Sequence, residues 1–326
     1  MTGPPRDHGG NLDRAVRQFG AGSWLDLSTG INARAYPVPT LSGQDWAALP
    51  TRSAVAELEA EAARYYQTQA PITALSGAQA AIQIVPRLAR PGRACVVGPT
   101  YNEHAAALLA QGWSVETVTD PKAALGADLL IVVNPNNPDG RRWSPASLMT
   151  LRGRVGLLVV DESFADTEPG VSLAPDLTGA EDDIVVLRSF GKFFGLAGLR
   201  LGFLICGTGL VQTVRGLAGP WAVSGPAIAI GCQALADRDW QSRARQHLSQ
   251  DADRLDALAA QAGWNLVGGT ALFRTYDTPD AMAAQNRLAT AHVWSRIFPY
   301  SDRWIRLGLP GSEQGWQQLA VALQAR

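Results

Sequence analysis

Lysine is almost missing from this chain. Of the 28 cationic side chains in its 326 residues, only Lys122 and Lys192 are lysines, and the other 26 (28 − 2) are arginine. Arginine stays protonated in proteins, whereas a desolvated lysine can lose its proton, and only a neutral amine condenses with a carbonyl. Amine chemistry therefore has two candidates. Cysteine is scarce as well: Cys95, Cys206 and Cys232 are odd in number and lack metal-ligand spacing. That argues against a disulfide framework and a zinc site, and it points to core thiols of a reduced, cytoplasmic protein. The four histidines (8, 104, 247, 292) are too scattered to suggest a metal centre. Charge of one sign is not in excess either. The balance of 28 − 29 = −1 gives no basic field for nucleic acid or an anionic membrane. No apolar run approaches the ~20 residues of a membrane span, and MTGPPRDHGGN lacks the apolar stretch of a secretory leader.

What is present is a core-forming composition, 46% hydrophobic and 17% charged, over a length that suggests about two domains. Residues 1–44 are rich in Gly and Pro and carry HGGN (8–11) and LDLSTGIN (25–32), with a short strand expected around Trp24–Leu27. The segment 51–66 reads as a helix with Val55, Leu58 and Ala62 on one face and Glu57, Glu59 and Glu61 towards water. ITALSGAQAAIQIVPRLA reads as strand, Ser-Gly turn and helix opening at Ala78 or Gln79. Such a unit aims backbone N–H groups at one spot, which suits an anion, although an ordinary βα connection looks the same.

Strands and helices then alternate. ACVVGPTY, WSVETV, DLLIVVN, GLLVVDES and DIVVLRSF are the strands, with helices at 102–111 and 145–153, the latter capped by Ser144. This order predicts an α/β fold with a mostly parallel central sheet flanked by helices. Ligands of such sheets sit at the carboxyl ends of the strands. Gly77, Tyr101, Asn134 to Gly140, Asp161 and Ser189 all fall there. After Gly216–Pro220 the alternation stops, and helices at about 226–236, 239–262 and 279–290 mix with NLVGGTALFRTY and a strand near WIRLGL. The expected division is a large α/β domain over 45–217 and a small α+β domain from 1–44 plus 218–326.

The richest window is SFGKFFGLAGLRLGF (189–203). Lys192 follows Ser189 by three residues, and Arg200 follows a glycine-rich run. Glycines let a backbone approach a ligand, and Ser and Arg are phosphate partners. The plain alternative is an exposed lysine in a mobile loop. Ser-x-x-Lys followed by GLAGLRLG resembles the cofactor-anchoring segment of fold-type I pyridoxal phosphate (PLP) enzymes, the aspartate aminotransferase superfamily. The resemblance implies a PLP-dependent transferase fold in which Lys192 holds the cofactor covalently while Ser189 and Arg200 bind its phosphate.

The resemblance extends along most of the chain. VVNPNNPDG (132–140) is similar to the superfamily's Asn-Pro-x-Gly turn, which implies that Asn137 donates to the cofactor's phenolic oxygen; turn chemistry alone also uses these residues. VVDES (159–163) implies that Asp161 faces the pyridine nitrogen and keeps it protonated, where a strand-end acid paired with a surface arginine is the alternative. Tyr101 matches the aromatic that stacks on the cofactor ring, or is a core aromatic. Gly77, Ala78 and Gln79 match the phosphate loop. Arg306, in WIRLGLP, matches the arginine that grips a substrate carboxylate through its bidentate fork.

HGGN followed by LDLSTGIN, and Asp-Glu-Ser-Phe with Phe164 where many aminotransferases carry Tyr, resemble the L-threonine O-3-phosphate decarboxylases of cobalamin synthesis. The resemblance implies that His8, Asn32, Arg296 and Arg306 bind substrate, with the phosphate mainly on His8 and Arg296 and the carboxylate on Arg306. It also implies a homodimer acting on a phosphorylated amino acid. Gly191 and Phe193 depart from the commoner neighbours of the lysine. ALPTR around Leu49 stands where many relatives offer a tyrosine from the neighbouring subunit. The alternatives are an aminotransferase, such as one acting on histidinol phosphate, and a non-catalytic PLP-fold binding protein. The set Lys192, Asp161, Asn137 and Arg200 argues against the latter, since binding alone needs no electron sink.

Overall fold

A computed structural model gives the fold and describes residues 8–324. The elements begin with α1 (Leu12–Phe19), β1 (Leu25–Asp26), α2 (Gly43–Ala47), α3 (Arg52–Tyr66), β2 (Ile72–Leu75), α4 (Ala78–Ile84), β3 (Arg93–Val97) and α5 (Glu103–Ala110). They continue with β4 (Ser114–Val118), β5 (Leu129–Val133), α6 (Pro145–Met149), β6 (Leu157–Asp161), β7 (Ile184–Ser189), α7 (Phe190–Phe193), β8 (Gly202–Cys206), α8 (Thr208–Ala218) and α9 (Gly225–Ala236). The last are α10 (Arg238–Gln261), β9 (Asn265–Thr270), β10 (Phe273–Asp277), α11 (Ala281–Thr290), β11 (Val293–Trp294), β12 (Arg296–Phe298), β13 (Ser301–Gly308) and α12 (Glu313–Gln324).

The chain packs as two compact units. The larger comprises 36–137 and 141–242, and the smaller comprises up to residue 35, 138–140 and from 243 onward. Residues 36–44 and α9 thus lie with the larger unit. The packing explains it: α9 lies against α2 and α3, and a Cβ on Gly225 would meet the Asp45 carbonyl at 2.2 Å.

In the larger unit a seven-stranded sheet runs β2-β8-β7-β6-β5-β3-β4. β4, β3, β5, β6 and β7 are parallel; β8 is antiparallel to both β7 and β2. Every residue of β5, β6 and β7 is buried, as expected for apolar strands covered on both faces. β8 is the strand missing from the sequence reading, because it begins at Gly202 at the end of a glycine-rich run. Its place in the sheet needs that glycine: a Cβ there would lie 2.4 Å from the Ala78 nitrogen.

Glu59, expected to face water, instead accepts from the Ala74 N–H at 3.1 Å and pairs with Arg215 at 2.9 Å, tying α3 to β2 and α8. Beneath the sheet's carboxyl edge Arg188 is buried between Glu162 (2.7 Å) and Asp166 (2.8 Å), with the Tyr66 ring 4.3 Å from its guanidinium. Burial pulls its pKa down, but Asp166 and Glu162 more than offset this and hold it above the ordinary arginine value.

The smaller unit is an antiparallel sheet of order β12-β13-β10-β9 with a parallel pair, β1 and β11. Residues 138–140 belong to it: Thr275 donates to the Pro138 carbonyl at 2.6 Å, and a Cβ on Gly140 would strike Gly269.

Candidate active site

Strand register brings the cofactor candidates together in the larger unit. Val133 pairs with Asp161 and Asp161 with Leu187, so the ends of β5, β6 and β7 are level. Two residues beyond Leu187, Ser189 pairs with Gly202, which in turn pairs with Leu75. Leu75 leads into the Ser76–Gly77 turn. The sheet edge therefore carries Asn134, Asp161, Ser189 and the start of α4 in one row.

Gly77 caps α4 at φ +80°, a conformation that favours glycine. A Cβ there would lie 2.6 Å from Arg200 Nη2, so the guanidinium sits over a bare glycine. Gly77's own N–H donates to the Leu75 carbonyl at 2.7 Å. What Gly77 could offer an anion is close approach, and the first-turn N–H groups of Ala78 and Gln79, which helix geometry leaves without intrahelical acceptors, could donate to it. Arg200 adopts φ +57°, unusual for a residue with a side chain, and donates to the Ala197 carbonyl at 3.1 Å. The Gln79 side chain is engaged with Glu103 (3.3 Å) and Tyr101 (3.4 Å). Ser189 is buried at the N-cap of α7, but its hydroxyl does not cap that helix. Lys192, one turn on, is half-buried with Nζ 5.9 Å from the Phe164 ring centre.

Asp161 is 2% exposed and accepts from three donors. His104 Nε2 lies 2.8 Å from Oδ2, while the Ser163 N–H and hydroxyl donate to Oδ1 at 2.9 and 2.5 Å. Burial alone would raise its pKa. The His104 hydrogen bond and charge, then the two Ser163 bonds, reverse this and hold it below the ordinary aspartate value. Asp161 is thus a buried carboxylate kept ionised, and the alternative of a surface acid paired with arginine does not hold. Asn136 links two loops of the site, accepting from Thr100 at 2.6 Å and donating to the Pro99 carbonyl at 2.9 Å; this fixes the segments that carry Tyr101 and Asn137.

The substrate candidates lie in the smaller unit. His8 and Arg296 line one cavity of about 900 Å³, together with Arg14, Ser28, Gln285 and Ser295. Arg306, 3% exposed, stands directly opposite Arg296 across the β12–β13 pair. Like charges so placed repel unless an anion lies near. Arg306 Nη2 donates to the Ser28 carbonyl at 2.6 Å, and its guanidinium lies 5.0 Å from the Phe273 ring centre. The Gly10 N–H donates to Ser28 Oγ at 2.7 Å, and a Cβ on Gly9 would lie 2.3 Å from the Ser28 carbonyl oxygen. The glycines of HGGN therefore seat His8 against the loop that Arg306 holds. Asn32 is buried on that same loop and accepts from the Arg34 N–H at 2.9 Å; neither it nor Arg306 lines the cavity.

Comparison with known proteins decides the family. Residues 20–323 match the model of aminotransferase class I and II. The chain belongs to that family. It is 42% identical to a threonine-phosphate decarboxylase of Sinorhizobium over 98% of both chains, and 40% identical to one of Pseudomonas aeruginosa over 97% of both. The fold matches that of a histidinol-phosphate aminotransferase from Sinorhizobium meliloti solved with pyridoxal-5'-phosphate, at a TM-score of 0.83 and 21% identity, covering 96% of this chain and 93% of the other.

Within this family's fold, the arrangement fits a phosphorylated aldehyde cofactor. Gly77 brings the Arg200 guanidinium against the first turn of α4, a cation beside helix N–H groups that suits a phosphate. The buried Asp161, with three donors on its roughly four acceptor sites, offers a negative charge for a ring nitrogen. Several residues of the site escaped the sequence reading. The scatter of the histidines along the chain hides His104, whose place three residues after Tyr101 on α5 aims it at Asp161; the Tyr101 and His104 rings meet edge to face at 6.2 Å. Arg14 and Ser295 carry no sequence motif, Ser28 lies within LDLSTGIN without a role of its own there, and only the fold gathers the three.

Proposed function

We propose that the chain is a PLP-dependent lyase. It removes the carboxylate of L-threonine O-3-phosphate as CO2, with one proton taken up at Cα, to give (R)-1-amino-2-propanol O-2-phosphate for cobalamin biosynthesis. The observation that carries this reading is the anion-binding layout of the smaller unit, with His8 and Arg296 on one cavity and Arg306 in register with Arg296. Two separated anions on one small substrate, a phosphate and a carboxylate, match it. The near full-length likeness to threonine-phosphate decarboxylases supports the same substrate.

The bound cofactor supplies the electron sink that accepts the pair left at Cα when the carboxylate departs. The residues do the rest. Lys192 is the covalent anchor and, as an ammonium, the proton donor to Cα. Asp161, with His104 and Ser163 behind it, keeps the ring nitrogen protonated. Ala78, Gln79, Ser189 and Arg200 would hold the cofactor phosphate beside bare Gly77, Tyr101 would lie against its ring, and Asn137 would donate to its phenolic oxygen. His8 and Arg296 would grip the substrate phosphate and Arg306 the carboxylate, with Asn32 a further substrate contact from the loop that Arg306 holds. Fixing both ends of the substrate would select which bond at Cα is presented for cleavage. Phe164 has no hydroxyl to donate, so Asn137 carries the phenolic oxygen from the protein side.

The same reading places the enzyme in the cytoplasm as a homodimer; the exposed Trp46 and Trp221 of the larger unit supply apolar surface for a second copy. Turnover of L-threonine O-3-phosphate should exceed that of unphosphorylated L-threonine by about 100-fold or more in kcat/KM. Equal values for the two would contradict the phosphate assignment.

A further inference from the structure

Ser295 sits between β11 and β12 with 2% of its surface exposed, and it lines the cavity that holds His8 and Arg296. The backbone around it is tied down. The carbonyl of Trp294 accepts from the Leu27 N–H at 2.7 Å, and the carbonyl of Ser295 accepts from Gln285 Nε2 at 2.9 Å. Arg296, the next residue, is fixed by its pairing with Arg306. The Ser295 hydroxyl is left over: Oγ is buried and makes no hydrogen bond among the described residues. A buried hydroxyl without a partner costs about 1–3 kcal/mol, so its retention calls for an acceptor that comes and goes.

The cavity indicates which acceptor. Its polar lining includes Arg14, Arg296 and His8 on one hand and Asp280 and Asp302 on the other, with Arg296 next to Ser295 in the chain, and it is roomy at about 900 Å³. A hydroxyl donor next to an arginine matches a phosphoryl oxygen, which accepts several charge-assisted hydrogen bonds at once. We propose that Ser295 is a specificity-determining residue whose hydroxyl donates to the substrate's phosphate. The proposal rests on the assignment of that phosphate to the His8–Arg296 cavity. Because the hydroxyl makes no bond without substrate, its removal should weaken binding without weakening the fold.

The test compares the wild-type holoenzyme with Ser295→Ala, Ser295→Cys and Arg296→Ala. Ser295→Ala should raise KM for L-threonine O-3-phosphate about tenfold with kcat within about twofold. It should weaken competitive inhibition by inorganic phosphate to a similar extent, and leave the binding of unphosphorylated L-threonine unchanged. Its melting temperature without substrate should equal or exceed that of the wild type. Ser295→Cys, a near-isosteric weak donor, should fall between the two and serves if the alanine variant does not fold. If Arg296→Ala raises KM and Ser295→Ala does not, or if L-threonine binding weakens equally, the hydroxyl has no part in phosphate recognition. If Arg296→Ala also leaves KM unchanged, the cavity is not the phosphate site, and the assignment of the cavity falls together with this proposal.

Discussion

Asp161 shows how a single residue is given its chemistry. A carboxylate with 2% exposure would ordinarily be protonated or expelled. Three donors from His104 and Ser163 keep it ionised. Replacing it with Asn preserves the shape and removes the charge that would hold the ring nitrogen protonated. Asp161→Asn should therefore lose about 100-fold or more in kcat while retaining cofactor, as read from absorbance and steady-state rates. A turnover near that of the wild type would contradict the role. The pH dependence has a definite sign. Because the folded-state pKa is depressed, the carboxylate's stabilisation is fully present above the ordinary aspartate range and is lost as pH falls below it. Urea unfolding of wild type and Asp161→Asn should give stability curves that converge on acidification; curves that diverge would refute it.

At this scale the candidates stood out by different signals. Lys192 was visible because arginine has displaced nearly every other lysine, and Asp161 because it closes an apolar strand. His104 was not, since its value lies in a contact 57 positions away in the chain. Ser295 was invisible for the same reason: a lone serine beside arginine has no pattern.

At the scale of elements, β3, β5, β6 and β7 announced themselves through short runs of Val, Leu and Ile. β8 did not, because its antiparallel course begins in a glycine-rich segment that also reads as loop. α1 and α2 were hidden in a stretch dominated by Gly and Pro, although Asn11 and Ser42 cap them. The glycines of the 195–202 segment are not equivalent. Gly202 lets β8 pass within contact of the Ala78 nitrogen, whereas a Cβ on Gly198 would meet nothing within 4 Å. Gly202→Ala should therefore displace the start of α4 and weaken cofactor binding about tenfold or more, with Gly198→Ala close to wild type. Equilibrium dialysis of the cofactor checks this, and equal affinities for the two variants would show that the α4 turn does not form the phosphate cup.

At the scale of the whole molecule, strand–helix alternation reads as one α/β unit, and its loss after residue 220 as the start of a second. The boundaries were less legible: α9 follows the break in alternation yet packs on α3, and 138–140 leaves the larger unit through a backbone contact with β9. Neither is visible without the tertiary packing. The fold is shared with aminotransferases, so it cannot by itself distinguish decarboxylation from transamination. The chemical outcome must separate them. The most direct measurement supplies the holoenzyme with L-threonine O-3-phosphate and no oxo acid, and follows CO2 and amine over many turnovers. The account predicts one CO2 and one aminopropanol phosphate per substrate consumed, with no stimulation by 2-oxoglutarate. Turnover that requires 2-oxoglutarate and yields glutamate without CO2 would contradict it.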